Sequence, residues 1–410
     1  MSSSKLIVIL GATGNQGGSV VESFLSEPNW KVRALTRNSA SSKAQTLSSK
    51  GAEVAQADLD DPSTLTSAFE GAHAIFAVSD FWGLFNEANR SRAKPGQPLN
   101  EWAAEHEEQQ LKHVIDAASK VPTLEKFILS SLSHAEKWSK GKYTRVYHFD
   151  GKARAAEYIP KAHPDLWAKT SIFQAGLFLN NFIQLPLNQP VKIRLIPFKH
   201  GQHLTNMRQN ADGIVQFITA LNPDTKFPFI AAEEDSGPFV KALITQEPAG
   251  RNLIAYRGWL SHNEIAAAFT KATGIEATTA KFDGNFPPDV SDELIGEMAD
   301  CFGYFDEFGY EGRDDPTVVH PGDVSCDSSF YGYLLMSQHS YVLHRGWILP
   351  RATLRNRTGP RFSVNGTRYS RHGHEGTERW ASPVVPQSIT YSLRSIVLII
   401  SQMRFSRNRG

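Results

Sequence analysis

A chain of 410 residues, 40% of them apolar, is long enough for two or three domains and for a proper buried core. Its formal net charge of +1 hides an uneven distribution: residues 326–410 hold 12 arginines, no lysine and 3 acidic residues, against 31 basic and 39 acidic residues before them. Mean hydropathy is slightly negative, no apolar run approaches the roughly 18 residues that span a bilayer, and the two cysteines, Cys301 and Cys326, cannot make a disulfide framework.

Residues 5–10 (KLIVIL) open on the one basic residue of the amino terminus and break at Gly11, a poor secretory signal. The expectation is a soluble cytoplasmic protein, with the nucleus also open and no membrane partner. The same run is nearly all apolar, the pattern of a strand buried on both faces of a parallel sheet. Glycine-rich GATGNQGG follows, then a helical repeat of Val20, Val21, Phe24 and Leu25. Residues 30–36 predict a second strand, 52–58 a third, 74–78 a fourth, 126–131 a fifth and 170–175 a sixth. A helix opens at Pro62, where proline suits the first turn. Residues 101–119 carry a long helix with Leu111, Val114, Ile115 and Ala118 on one face. Residues 80–100 read as a long loop at the carboxyl end of the fourth strand, a common place for function. The alternation of strand and helix predicts an α/β protein: a Rossmann-type doubly wound parallel sheet with right-handed crossovers.

Beyond Leu177 the pattern loosens. Short strands are predicted at 191–197, 227–230, 252–256 and 278–282, and helices at 212–220, 236–245, 261–273 and 291–305. Ser261 and Glu264 form a capping box ahead of an apolar run. The domain reading is a dinucleotide-binding Rossmann domain over 1–176 and a smaller α/β substrate or partner lobe over 177–325, interleaved with it. Residues 326–410 form an arginine-rich, structureless tail. That tail is either a disordered arm for nucleic acid or another acidic partner, or the product of an out-of-frame or unspliced reading, which the absence of lysine favours. Its 396–400 apolar run is an aggregation liability.

Gly11, Gly14 and Gly17 lie between a buried strand and a helix, so a tight turn, close backbone approach to a pyrophosphate and close helix–strand packing are all expected there. The helix amino terminus favours phosphates. At the end of the second strand an NAD-selective site usually places an acid. Here the chain reads Thr36, Arg37, Asn38, with Lys43 nearby and no acid until Glu53. Arg37 can pair bidentately with a 2′-phosphate that a carboxylate would repel, so NADP(H) is favoured over NAD(H). Asp58 and Leu59 end the third strand beside the adenine position, while one of Asp58, Asp60 and Asp61 is due to cap the helix at Pro62.

GATGNQGGSV at 11–20, VRALTRN at 32–38, GAEVAQADLDD at 51–61 and HFDGKARAAEYI at 148–159 together resemble the NmrA-like family of atypical short-chain dehydrogenases/reductases. A looser match continues through 233–244 and 309–321. The resemblance implies an NADP(H)-binding protein of one of two kinds. One is a reductase of a small organic substrate such as a secondary metabolite. The other is a non-catalytic redox sensor that binds a transcription factor or other protein partner. It further implies phosphate contacts from Gly11, Ala12, Thr13, Gly14, Asn15 and Gln16, and 2′-phosphate contacts from Arg37, Asn38, Ser39, Ala40 and Ser41. Asp58 and Leu59 would lie at adenine, and Ser79, Asp80 and Phe81 beside the ribose and nicotinamide. Lys152 would lie near the nicotinamide ribose, with Ala175, Gly176, Leu177 and Phe178 at the nicotinamide end. Gln109 stands where such regulators offer a lysine, which weakens that contact.

Ordinary members of the superfamily use Tyr-x-x-x-Lys, in which the lysine lowers the tyrosine pKa for proton exchange with substrate. Lys152 is present as the candidate catalytic residue, but the position four before it is His148. Tyr147 and Tyr143 are out of register on a helix, although Gly151 suggests that the helix begins only there. Ser130, Ser131 and Ser133 end the fifth strand and are read as strand-end hydrogen bonders rather than catalytic hydroxyls. No H-E-x-x-H, C-x-x-C, G-x-S-x-G or Walker lysine occurs, so no metal, hydrolase or nucleotide-triphosphate chemistry is indicated. An enzyme is mildly preferred over a sensor whose 80–100 loop orders with the cofactor.

Overall fold

Ile7, Val8 and Ile9 have no exposed surface, because the first strand of this computed structural model has helices packed over both faces. The structure describes residues 4–179, 206–210, 212–273, 276–284, 286 and 290–325. In chain order β1 (Lys5–Ile9), α1 (Asn15–Leu25), β2 (Trp30–Thr36), α2 (Ser42–Ser49), β3 (Glu53–Gln56), α3 (Pro62–Ala68) and β4 (Ala74–Ala77) alternate. Then come α4 (Phe81–Leu84), α5 (Leu99–Ala118), β5 (Lys126–Ser131), α6 (Ala135–Trp138), α7 (Tyr147–Ala162), α8 (Pro164–Trp167) and β6 (Thr170–Ala175). Further on lie β7 (Leu177–Phe178), β8 (Asn206–Gln209), β9 (Val215–Thr219), β10 (Lys226–Ile230), α9 (Ala232–Thr245), β11 (Asn252–Ala255) and β12 (Gly258–Ser261). The last elements are α10 (His262–Thr273), β13 (Ala277–Lys281), α11 (Asp292–Phe308) and β14 (Val318–Val319).

The main sheet runs β14-β11-β6-β5-β4-β1-β2-β3, and every described pair in it is parallel. Side chains alternate between its faces. Ile7, Ile9, Phe76 and Phe173 pack with Val20, Val21 and Phe24 of α1 and Phe239 and Leu243 of α9. Val8, Leu10, Ile75 and Phe127 pack on the opposite face with Leu111 and Ile115 of α5 and Ile159 of α7. This is a Rossmann-type doubly wound sheet. Strand order reverses between β1 and β4, which opens a crevice beyond their carboxyl ends.

Two small sheets, β12-β10-β7 and β13-β9-β8, stand over that edge. With α10 and α11 they enclose an aromatic core that includes Phe217, Phe227, Phe229, Phe269, Tyr304 and Phe305. The capping box at α10 is present: Glu264 N donates to Ser261 Oγ at 3.2 Å and Ser261 N to Glu264 Oε2 at 2.8 Å. α9, β11 and β14 return to the main sheet, with β11 pairing along β6. Gly237 of α9 lies so close to α1 that its N–H donates to Ser19 Oγ at 2.9 Å.

Several sequence expectations are corrected. Residues 212–220 are not a helix: β9 alternates buried and half-buried side chains, a period of two that β-branched and aromatic residues (VQFIT) favour. Residues 80–100 are not a free loop, since they hold α4 and a 3-10 helix over Glu87–Arg92. The helix bearing Lys152 starts at Tyr147 rather than at Gly151. The strand expected at 191–197, Cys326, the 396–400 run and the rest of the tail lie outside the described residues.

Two buried groups give stability an opposing pH dependence. Burial pushes the Asp150 carboxyl up to about 6, and its Oδ2 has no partner among the described residues. Its contribution is therefore fully present below about pH 4 and lost as pH rises through 6. Burial pulls His262 down to about 4, so its contribution is present above its ordinary value near 6.5 and lost as pH falls toward 4. Asp150→Asn is expected to raise stability at pH 7 by about 2 kcal/mol, and His262→Gln to remove a similar loss between pH 6.5 and 4. Denaturant melts at pH 4, 5.5 and 7 check both, and unchanged pH slopes in the variants would refute the assignment.

Candidate functional site

The loop after β1 is shaped by two glycines. Gly11 has φ +60°, and a Cβ there would lie 2.6 Å from Val78 Cγ1. A Cβ on Gly17 would lie 2.3 Å from the Gly11 carbonyl oxygen, so α1 sits directly on the strand end. Gly14, the N-cap, accepts the first helical bond but has no side chain to satisfy the first-turn N–H groups. Ser130 Oγ donates to Gln16 Oε1 at 2.8 Å, tying this turn to β5.

Beyond β2, Thr36 Oγ1 accepts from Asn38 N, Asn38 Oδ1 from Ala40 N, and Ser41 Oγ caps α2 through Ala44 N. Ser39 Oγ reaches Gln56 at 3.3 Å. Arg37 stands exposed on this scaffold with no hydrogen bond or ion pair to the described residues. Lys43 Nζ donates to the Thr13 carbonyl at 3.3 Å, which sets a second cation against the glycine loop. Glu53, the next acid along the chain, is taken by Arg33 at 2.8 Å. At the end of β3 the cap on α3 is Asp61, which accepts from Ser63 N at 3.1 Å. Asp58 Oδ1 accepts from Asp60 N at 3.0 Å. His113 Nδ1–H donates to the Leu59 carbonyl at 2.8 Å, and Gln109 donates to the other ring nitrogen at 2.8 Å. Gln109 thus anchors the histidine against Leu59.

A cavity of about 190 Å³ opens at the ends of β4, β5 and β6. Gln16, Ser79, Asp80, Phe81, Lys152, Ala175, Gly176, Leu177 and Phe178 converge on it. Gly11 to Asn15, Gly17, Arg37 to Ser41, Asp58 and Leu59 do not line it; they continue along the ends of β1, β2 and β3. Successive strand ends lie ~4.8 Å apart, so the whole set forms one row along the carboxyl edge. Trp82, Phe149, Phe305 and Tyr310 complete an aromatic wall. Ser79 Oγ is buried and has no partner among the described residues.

Lys152 Nζ donates to Glu107 Oε1 at 2.7 Å and to the His148 carbonyl at 3.2 Å. It lies 5.9 Å from the centre of the Phe81 ring. His148 is held by α11: its N and Nδ1 both donate to Glu297 Oε1, at 3.0 and 2.6 Å. Its Nε2 faces Cys301 Sγ at 4.0 Å, where burial pushes the thiol up. Tyr143 donates to Glu307 at 2.7 Å, Tyr147 packs with the Phe81–Trp102 cluster, and neither lines the cavity. The tyrosine that does is Tyr310, whose hydroxyl donates to the Ala175 carbonyl at 2.9 Å and which burial holds well above the ordinary phenol range. Ser130 and Ser131 line the cavity, whereas Ser133 donates to the Tyr310 carbonyl at 2.8 Å.

The segment between β4 and α5 is pinned. Asp80 caps α4, Arg90 forks onto Glu293 of α11 at 2.6 and 2.9 Å, and Leu99 N donates to Glu293 at 3.0 Å. Among the described residues no three metal-ligating side chains come together, and no helix is long and apolar enough to cross a membrane.

A sequence model of the NmrA-like family matches residues 3–330. The chain is 33% identical over 280 residues to the NmrA-like family domain-containing oxidoreductase hkm9 of Aspergillus hancockii, across 67% of this chain and 75% of that protein. It is 25% identical over 334 residues to the oxidoreductase ptmS of Penicillium ochrochloron, across 76% and 88%. Among solved structures it resembles NmrA, a negative transcriptional regulator crystallised with NADP, at 21% identity and TM-score 0.58, across 81% of this chain and 91% of that one. That last likeness shows the fold.

Glu297 accepts three hydrogen bonds at full burial, the third from Asn100 Nδ2 at 3.0 Å. Glu297→Ala is expected to cost about 3–5 kcal/mol, visible as a large drop in melting temperature. A loss below 1 kcal/mol would show that this junction is dispensable.

Proposed function

The chain belongs to the NmrA-like family, and from that premise we propose that it is an oxidoreductase using NADP(H) on a small organic substrate, of secondary-metabolite type, held in the aromatic cavity. The observation that carries this is the continuous row from Asp58 through Arg37 and the glycine turn to Lys152, which is the shape and polarity an extended dinucleotide requires. The residues fit such a group: a glycine cradle that a Cβ would fill, an α1 amino terminus capped by backbone alone, and a buried unpartnered Ser79 hydroxyl. The relatives named oxidoreductases support the same reading.

In this reading Gly11 to Gly17 and the α1 dipole hold the pyrophosphate. Arg37 and Lys43 take the 2′-phosphate side, and Asp58 and Leu59 border adenine. Ser79, Asp80 and Phe81 flank the ribose, with Ala175 to Phe178 behind the nicotinamide. The bound cofactor supplies hydride. Lys152 directs its remaining N–H toward the nicotinamide ribose. The aromatic wall of Trp82, Phe149 and Phe305 excludes water.

A second reading, a non-catalytic NADP(H) sensor with a transcription factor or other protein as partner, is favoured by one observation: neither Tyr143 nor Tyr147 reaches the cavity, and the Tyr310 hydroxyl is committed to Ala175. Such a sensor would not work by ordering a loose 80–100 loop, because Glu293 already pins that segment. Its signal would pass through Phe81 and Trp82, which belong to both the segment and the cavity wall.

Arg37→Ala is expected to weaken NADPH binding about 10- to 100-fold while leaving NADH unchanged. Equal affinities of the native protein for the two cofactors would sink the NADP(H) assignment. Lys152→Ala is expected to abolish turnover of carbonyl or enone substrates. If the native protein reduces none of them yet binds NADP+ and NADPH with different affinity, the sensor reading takes its place.

A further inference from the structure

α5 buries one stripe against the sheet and α7, and Ala103, Glu107 and Leu111 follow one another on it, each with no exposed surface. A carboxylate in the middle of an apolar stripe is costly to desolvate and gives little net stability even when paired. Two other glutamates that bridge elements in this protein use both oxygens. Glu297 accepts three hydrogen bonds, and Glu293 accepts two from Arg90 and one from Leu99. Glu107 differs: Oε1 meets only Lys152 Nζ, at 2.7 Å, and Oε2 has no partner among the described residues. It joins nothing but the lysine.

The helix crossing serves the same contact. A Cβ on Gly151 would stand 3.0 Å from the Ala104 carbonyl oxygen, so α7 comes down close to α5 one residue before Lys152. The ammonium carries three donors. One goes to Glu107, one to the His148 carbonyl of its own helix, and the third is left for the cavity that Lys152 lines.

We propose that Glu107 is a positioning residue for Lys152: its buried carboxylate holds the ammonium and aims its third N–H into the cavity. The assignment rests on the NADP(H) reading above, in which that N–H serves the nicotinamide ribose. The other ionisable groups around the ammonium are Asp80 at the head of α4, His148 on α7 with Glu297 of α11 behind it, and Tyr310. Asp80 is engaged with Gly83 N, His148 with Glu297 and Tyr310 with Ala175, so Glu107 is the counter-charge in contact. With glutamine in its place a largely buried ammonium has no compensating charge, which disfavours its charged form.

The test is NADPH binding by the full chain, read from cofactor fluorescence between pH 7 and 9.5. The native protein is expected to hold its affinity within about twofold. Glu107→Gln should lose about tenfold or more across the same range, one decade per unit of displaced titration. The double variant Glu107→Gln/Lys152→Met removes both charges and should bind weakly with no pH dependence. If Glu107→Gln does not fold, Glu107→Asp withdraws the charge by one methylene and should give an intermediate slope. A native pH profile in the folded glutamine or aspartate variant overturns the proposal while leaving the cofactor reading intact. A native protein that binds no NADPH at any pH overturns both.

Discussion

A single carboxylate on the lobe helix α11, that of Glu297, reaches into the seam between α5 and α7 and accepts hydrogen bonds from His148 N, His148 Nδ1 and Asn100 Nδ2. The cavity depends on that junction. Its lining comes from the main sheet and α7 on one hand and from α11 and β7 on the other, with Phe305 of α11 and Lys152 of α7 both among it. One turn earlier Glu293 holds Arg90 and the start of α5, so the two glutamates fix the same helix to the middle and the carboxyl end of the 80–100 segment. His148 therefore completes a structural joint at the position where ordinary members of the superfamily carry a catalytic tyrosine.

Buried charge in this protein falls into two classes. Asp235 lies under a fork from Arg257 at 2.6 and 3.0 Å and also receives Ala231 N, which locks the turn after β10 to the strand beside it. Glu297 belongs with it, a charge consumed by scaffold donors. Lys152 and Glu107 belong to neither sheet nor cap. They are a pair of which the lysine lines the cavity and the glutamate leaves one oxygen unpartnered among the described residues, the form expected where specificity or chemistry, rather than stability, maintains a buried ion pair.

The sheet was legible because its strands are either wholly apolar or sharply bounded. Residues 30–36, 126–131 and 170–175 are strands to the residue. Gly11 and Gly17 were legible because the spacing of glycines between strand and helix reports backbone geometry directly. VQFIT in β9 was misassigned because a short amphipathic run fits both periods until its pairing partners are known. Glu107 and Glu297 were missed since a glutamate on a helix ordinarily faces water. The spacing Ala103, Glu107, Leu111 did carry the signal for one of them, at four-residue intervals within an apolar face. Tyr310 left no such mark: it reaches the cavity from far along the chain, and only the return of β11 and the segment after α11 brings it there.

That return has a consequence for how the protein is made. Val20, Val21 and Phe24 of α1 are covered by α9, and the free edge of β6 is covered by β11, yet α9 and β11 follow β6 by some tens of residues. At ribosomal speeds of about 5–20 residues per second, the first six strands emerge several seconds before either cover exists. During that interval an apolar helix face and an unpaired strand edge stand open to the cell. The apolar helix face and the strand edge are thus closed only once the chain has grown past Ala255, the last residue of β11.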